Sequence, residues 1–202
     1  MKRFDASLDA KPLKKKILDA ADRRFRVYGF KKTTMAEIAD DVGMSTANLY
    51  RYFPSKVDIA ESFALRCFEE KEKSLALIVN NNTLSAEKRL SAFALELLHH
   101  NYQQLIEVPT INDIIAALCE SSSLLVDRKR QGEADLLTEI LKIGAEQDHW
   151  QFDDAKQASQ TLLASWTLFT TPTFLRTYQK EELENLVNEM LSFLLLGLKA
   201  RN

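Results

Sequence analysis

Between Ser45 and Lys56 the chain carries Thr46, Ala47, Asn48, Arg51 and Tyr52, a short set of polar, hydrogen-bonding side chains with one small residue among them. Such a set suits the edges of DNA bases. Asn bridges adenine, Arg bridges guanine, and the methyl groups of Thr or Ala meet that of thymine. The small residue lets a backbone approach closely. The chemistry on offer is therefore base reading in a major groove. A plain solvent-exposed helix face is the competing reading, because a tight helix pair alone is a weak signal.

Other residues offer different chemistry. Glu96-x-x-His99 and Glu146-x-x-His149 share the E-x-x-H spacing of helical-bundle di-iron sites. A helical-bundle di-metal enzyme is thus the alternative function, but it needs two further inward-facing glutamates from other helices. His99 and His100 are adjacent, about 100° apart on a helix, and do not easily share one site. His149 falls beside an expected helix end at Trp150, where it is better placed to meet carbonyls. The five glycines are scattered and form no phosphate-binding loop. Cys67 and Cys119 lack a metal or redox spacing, which fits a reducing cytoplasm. A thiol trigger would need one of them exposed and electropositive. The sequence assigns no catalytic residue, no metal and no cofactor.

The elements that must position the base-reading set are legible around it. Thr34 and Glu37 form a T-x-x-E capping box, and Met35, Ile38, Ala39 and Val42 then give one apolar helical face. Gly43 stands where a left-handed residue ends that helix, and Ser45 caps the next, whose Leu49 and Phe53 face inward. Together they read as a helix-turn-helix. Upstream, a helix starting near Pro12 buries Ile17, Leu18, Ala21, Phe25 and Tyr28 and ends at Gly29, with Phe30 packing back on Phe25. Residues 1–10, with Lys2 and Arg3, read as a mobile arm. Downstream, Pro54 breaks the chain, and Ser55 and Asp58 recap a connecting helix from Lys56 to about Asn80. A cation at Lys56, in the first turn, opposes the helix dipole, a cost that a DNA phosphate at that point would offset.

The rest shows helical periods and no strand-like alternation, with helices expected near 85–105, 110–120, 121–148, 153–170 and 181–199 and breaks at Pro109, Asp148–Asp154 and Pro172. Near 181–199, Leu183, Leu186, Val187, Met190, Phe193 and Leu194 form a stripe, and Leu195, Leu196 and Leu198 make the end apolar nearly all round. The helix near 153–170 offers Ala158, Leu162, Leu163, Trp166 and Phe169. So apolar a terminal helix must be covered on more than one side, which makes the last two helices the candidate seam of a homodimer, a purely intramolecular core being the competing reading.

Composition agrees. The 202 residues are 46% hydrophobic with few Gly or Pro, and no apolar run is long enough to cross a membrane. The charged start, MKRFDASLDAKPLKKK, lacks the apolar stretch of a signal peptide. Residues 1–58 carry 13 Lys/Arg against 8 Asp/Glu, and the remainder 14 against 21. A basic end on an acidic body is the balance of a nucleic-acid reader joined to something else.

Gly43-Met44-Ser45, then Leu49-Tyr50-Arg51-Tyr52-Phe53, then Lys56, with Thr33 and Thr34 upstream, resemble the DNA-binding domain of TetR/AcrR-family transcriptional regulators. Many typed positions agree at once, over about the first quarter of the chain. The resemblance implies an all-α protein: an N-terminal three-helix helix-turn-helix domain, residues 1–56, joined to a larger helical effector-binding and dimerisation domain, residues 57–202. It implies a homodimeric regulator, most readily a repressor, on a near-palindromic double-stranded DNA operator and released by a small-molecule effector. The DNA-binding residues would be Thr33, Thr34, Ser45, Thr46, Ala47, Asn48, Tyr50, Arg51, Tyr52 and Lys56. Of these, Thr34, Ser45, Tyr50, Tyr52 and Lys56 would hold phosphates, while Thr46, Ala47, Asn48 and Arg51 would read bases. An effector pocket would draw on Phe63, Phe68, Phe93, His100, Tyr102, Trp166 and Phe169, a mixed lining that leans towards a largely apolar molecule. Aromatics at helical spacing are also the ordinary stuff of a core.

Overall fold

The computed structural model describes residues 10–108, 111–121 and 123–199. Residues 1–9 of the expected 1–10 arm and the break expected at Pro109 lie outside them, while Ala10 opens the first helix. The described residues form eleven helices: α1 (Ala10–Tyr28), α2 (Met35–Asp41), α3 (Thr46–Tyr50), α4 (Lys56–Val79), α5 (Ala86–Glu107), α6 (Ile111–Ser121), α7 (Ser123–Gln147), α8 (Ala155–Ser165), α9 (Thr167–Thr170), α10 (Pro172–Leu175) and α11 (Lys180–Leu198). The only extended pairing among them is an isolated antiparallel bridge between Trp150 and Lys199. The protein is all-α.

Two compact units emerge. The first comprises the described residues of 1–66 together with those of 107–123; the second comprises 67–106 and those of 124–202. The first unit is thus discontinuous in sequence. Its buried apolar residues include Ile17, Ala21, Phe25, Ile38, Ala39, Leu49, Phe53 and Ile59. Within this unit two ion pairs fasten the 107–123 segment, Arg26 to Glu107 at 2.5 Å and Lys31 to Asp113 at 2.8 Å.

The second unit has a single apolar core drawn from α4, α5, α7 and α8–α11, with Leu75, Leu90, Phe93, Leu97, Leu137, Ile140, Trp166, Leu175, Leu183 and Val187 among its members. Polar bonds pin its helices in register. The Asn101 side-chain amide donates to the Phe169 carbonyl, the hydroxyls of Thr138 and Ser159 lie 2.8 Å apart, and His99 Nε2 meets a Glu184 carboxylate oxygen at 2.7 Å. Buried Arg89 donates to the carbonyls of Val79 and Leu84 and so organises the α4–α5 turn.

Three local expectations differ from the structure. Tyr28, expected in the buried stripe of the first helix, is exposed. The helix expected over 153–170 is interrupted at Trp166, which caps α8 with φ −89° and ψ 14° and begins the short α9. Burying the indole to 1% exposure in the core overrides the continuous helical period. The stripe expected on 181–199 divides between two faces. Leu183, Val187, Leu191, Leu195 and Leu198 face the core, whereas Leu186, Phe193 and Leu196 are exposed, Phe193 by 76%.

Candidate nucleic-acid interface

The short helix α3 is positioned by the turn before it. Gly43 has φ +71°, a left-handed conformation, and around it Met44 N donates to the Ala39 carbonyl and Gly43 N to that of Asp40. This is the Schellman pairing, which satisfies the open carbonyls of α2 and reverses the chain. The Ser45 hydroxyl then accepts from Asn48 N at 3.2 Å and starts α3. At the other end of α2, the Thr34 hydroxyl accepts from Glu37 N while a Glu37 carboxylate oxygen accepts from Thr34 N at 2.8 Å, closing the capping box.

Leu49 is fully buried and Phe53 nearly so, which fixes the roll of the reading segment. With those two inward, Ala47, Tyr50 and Arg51 are exposed and Thr46, Asn48 and Tyr52 are half-buried, a face of mostly polar side chains that solvent reaches. Lys14, Lys15 and Lys16 on α1 are exposed as well, and Lys14 Nζ lies 5.8 Å from the centre of the Phe53 ring.

Two members of the expected DNA-binding set are placed otherwise. Thr33 is 1% exposed, and its hydroxyl donates to the Gly29 carbonyl at 2.9 Å. It closes the α1–α2 turn rather than facing outward. Lys56 turns its ammonium onto the same turn, donating to the carbonyls of Phe30 at 2.6 Å, Thr33 at 2.8 Å and Lys31 at 3.3 Å, and lying 4.5 Å from the Phe30 ring centre. An ammonium has three N–H donors, and here each has a carbonyl. The cost of a cation in the first turn of α4 is thus offset by acceptors within the protein. Burial holds Lys56 below its ordinary lysine value, with Glu37 offsetting part of the shift.

An electrostatic brace was not visible in the sequence. The Arg24 guanidinium donates to both carboxylate oxygens of Asp41, at 2.6 and 2.8 Å, and stands 3.4 Å from Glu37, tying α1 to both ends of α2. Hydrogen bonding from Arg24 holds the Asp41 carboxyl below the usual range, and hydrogen bonds from Thr34 do the same for Glu37. Pairs so distant in sequence follow no helical spacing, so no local signal could have found this one.

The expected effector-pocket residues separate. Phe93, Trp166 and Phe169 are core side chains of the second unit, with Tyr102 packed against them and half-buried. All four are thus part of one apolar core or packed against it. His100 and Phe68 are half-buried in the same unit, and Phe63, buried, belongs to the first. Among the described residues no group of three or more His, Cys, Asp or Glu is placed to hold a metal ion. His99 of the first E-x-x-H pair is engaged with Glu184. No helix among them is long and apolar enough to cross a membrane.

Comparison with known proteins bears on this geometry. Residues 17–63 match the family described as bacterial regulatory proteins, tetR family, and residues 86–190 match the tetracyclin repressor-like C-terminal domain. A probable HTH-type transcriptional regulator, YttP of Bacillus subtilis, is 30% identical over 95 residues, 46% of this chain and 46% of that protein. The match therefore spans about half the length of that relative. The fold is shared with a transcriptional regulator from Cytophaga hutchinsonii (TM-score 0.71, 22% identity, 97% of this chain and all of that one) and with a TetR/AcrR-family regulator from Thermobifida fusca (TM-score 0.68, 20% identity, 88% and 95%). With a matched reading head followed by a matched helical body over more than half its length, the chain belongs to the TetR family of DNA-binding transcriptional regulators.

Proposed function

We propose that the protein is a ligand-responsive repressor that binds a near-palindromic operator as a homodimer. The observation that carries the reading is the rigidly mounted, solvent-open face of α3. Ala47 and Asn48 stand on, and Arg51 caps the end of, a helix whose roll is set by buried Leu49 and whose start is set by Gly43 and Ser45. Thr46, Ala47, Asn48 and Arg51 read base edges, while Tyr50, Tyr52, Ser45 and Thr34 hold the backbone. Thr33 and Lys56 act one step back, fixing the α1–α2 turn on which the reading segment rests.

The exposed apolar face of α11, Leu186, Phe193 and Leu196, supports a two-fold pairing of the last long helices. Such a dimer sets two reading heads about 34–36 Å apart, one turn of DNA, and demands a roughly palindromic site. Release follows if an effector binds better to a body conformation whose head spacing no longer fits.

Selection of the purified protein on random duplex DNA tests the reading. Enrichment of a near-palindrome is expected. Asn48→Ala should then cost about 1–3 kcal/mol on the selected site and relax the preference at one base pair per half-site. Failure to enrich any sequence, or equal loss on all sequences with Asn48→Ala, overturns it.

A further inference from the structure

In the second unit the inner faces of α4 and α7 meet through charge as well as through apolar side chains. The Lys71 ammonium donates to Glu133 Oε1, and both side chains are sealed from solvent, at 3% and 4% exposure. A second lysine, Lys129, one turn before Glu133, approaches the same oxygen at 3.5 Å with its side chain 26% exposed. Leu75 and Leu137, one turn further along each helix, are core residues, so the cluster sits at the margin of the apolar interior. The half-buried Phe68 ring lies with its centre 5.6 Å from Lys71 Nζ. On the outer side Arg128 and Glu72 form a separate two-pronged pair, so neither is available to the inner cluster.

The charges do not balance. One carboxylate serves two ammonium groups at a largely desolvated place, and a buried cation without its own counter-charge is costly. Both burial and the neighbouring Lys71 hold Lys129 below its ordinary value, against the opposing pull of Glu133. A purely structural pair would need only Lys71 and Glu133. Lys129 adds a surplus positive charge at the one member of the cluster that solvent reaches.

Resting on the ligand-responsive reading, we propose that the effector is a small organic acid whose carboxylate is received by Lys129, with Lys71 behind it, and whose apolar part lies on Phe68. A carboxylate there supplies the missing negative charge and exchanges one shared oxygen for one acceptor per lysine. The earlier expectation of a largely apolar effector is thereby narrowed to an amphipathic one with a single anionic end.

Thermal unfolding and calorimetric binding on the full-length protein test this, using straight-chain acids from acetate to decanoate, benzoate and phenylacetate, each beside its primary amide. At least one acid should bind, about tenfold or more tightly than its amide. Lys129→Met, which leaves the Lys71–Glu133 pair intact, should abolish that preference while the ligand-free protein melts no lower; Lys129→Gln should do the same, and Lys142→Met on the surface should change nothing. No binding by any acid, equal binding of acid and amide, or a preference that survives Lys129→Met each overturns the proposal. Operator binding without acid is measured in parallel. Its absence would sink the repressor reading while leaving acid binding to be judged alone.

Discussion

Among single residues, Lys56 separates the mechanical part of the head from the reading part. Its ammonium serves three backbone carbonyls, so its charge is already committed within the protein. Lys56→Met should lower stability by about 1–2 kcal/mol in denaturant titration, the range for a partly exposed charged hydrogen bond. The slope of log affinity against log salt should stay unchanged, since no DNA counterion is released by a cation that meets no phosphate. A slope reduced by about one would return Lys56 to the phosphates. The sequence makes Lys56 visible as an anomaly, a cation in a first helical turn, but its partners lie on a turn more than twenty residues away. Asn48 and Ala47 stood out by type alone, because outward positions on a short capped helix follow directly from the inward pair Leu49 and Phe53. Glu37 and Asp41 give this region its acid-side pH dependence. Its folded-state value is depressed below the ordinary 4.5 by hydrogen bonds from Thr34, and that of Asp41 below 3.8 by Arg24. The stability they contribute is therefore complete above those ordinary values and is lost as pH falls through the depressed ones. Acid titration followed by circular dichroism should show a transition that is flattened on its acid side in Glu37→Gln, Asp41→Asn.

At the scale of elements, glycines mark where geometry is unforgiving, for two different reasons. Gly43 needs its positive φ, and a Cβ there would meet nothing within 4 Å. Gly43→Ala should cost about 1–2 kcal/mol, the backbone penalty alone, and Gly43→Asn less. Gly144, within α7, has an ordinary backbone, but a Cβ would fall 2.1 Å from the Trp150 ring. Gly144→Ala should therefore destabilise by about 3 kcal/mol or more, with the Trp150 fluorescence shifted as the indole is displaced. Gly43 was legible in the sequence because capping rules are local. Gly144 was not, since nothing near it in the chain foretells that Trp150, beyond the helix end, folds back against it. The same distinction explains Trp166. Periodicity carries a helix straight through that position, and only the core shows why the chain turns there.

At the scale of the molecule, the apolar residues of α11 divide into a covered face and an open one. If the open face is the seam between two copies, Phe193→Glu should place a charge against its symmetry mate. Sedimentation should then report a monomer, and operator affinity should fall by orders of magnitude, because two half-sites would no longer be bound by one particle. A dimer that survives the change would move the seam elsewhere. The sequence announced an apolar terminal helix but not which of its leucines were already spoken for, since Leu183 and Leu186 differ only in direction. The charge asymmetry between the two ends of the chain was equally plain, and it persists, reduced, between the units: the residues of the first carry 14 Lys/Arg against 12 Asp/Glu, those of the second 13 against 17.

The 107–123 segment, fastened within the first unit by Arg26–Glu107 and Lys31–Asp113, bears on how the protein is made. Synthesis proceeds from the amino end, and domains fold as units once their residues have emerged. Here the ribosome must deliver the whole of α4 and α5 before the last pieces of the DNA-reading unit arrive. The nascent head can form its turns early, but its closing ion pairs wait for the middle of the message. Slow decoding upstream of α6 would therefore prolong an unfinished head, and a fragment ending after α4 would keep the reading helix while lacking two of the bonds that hold its platform.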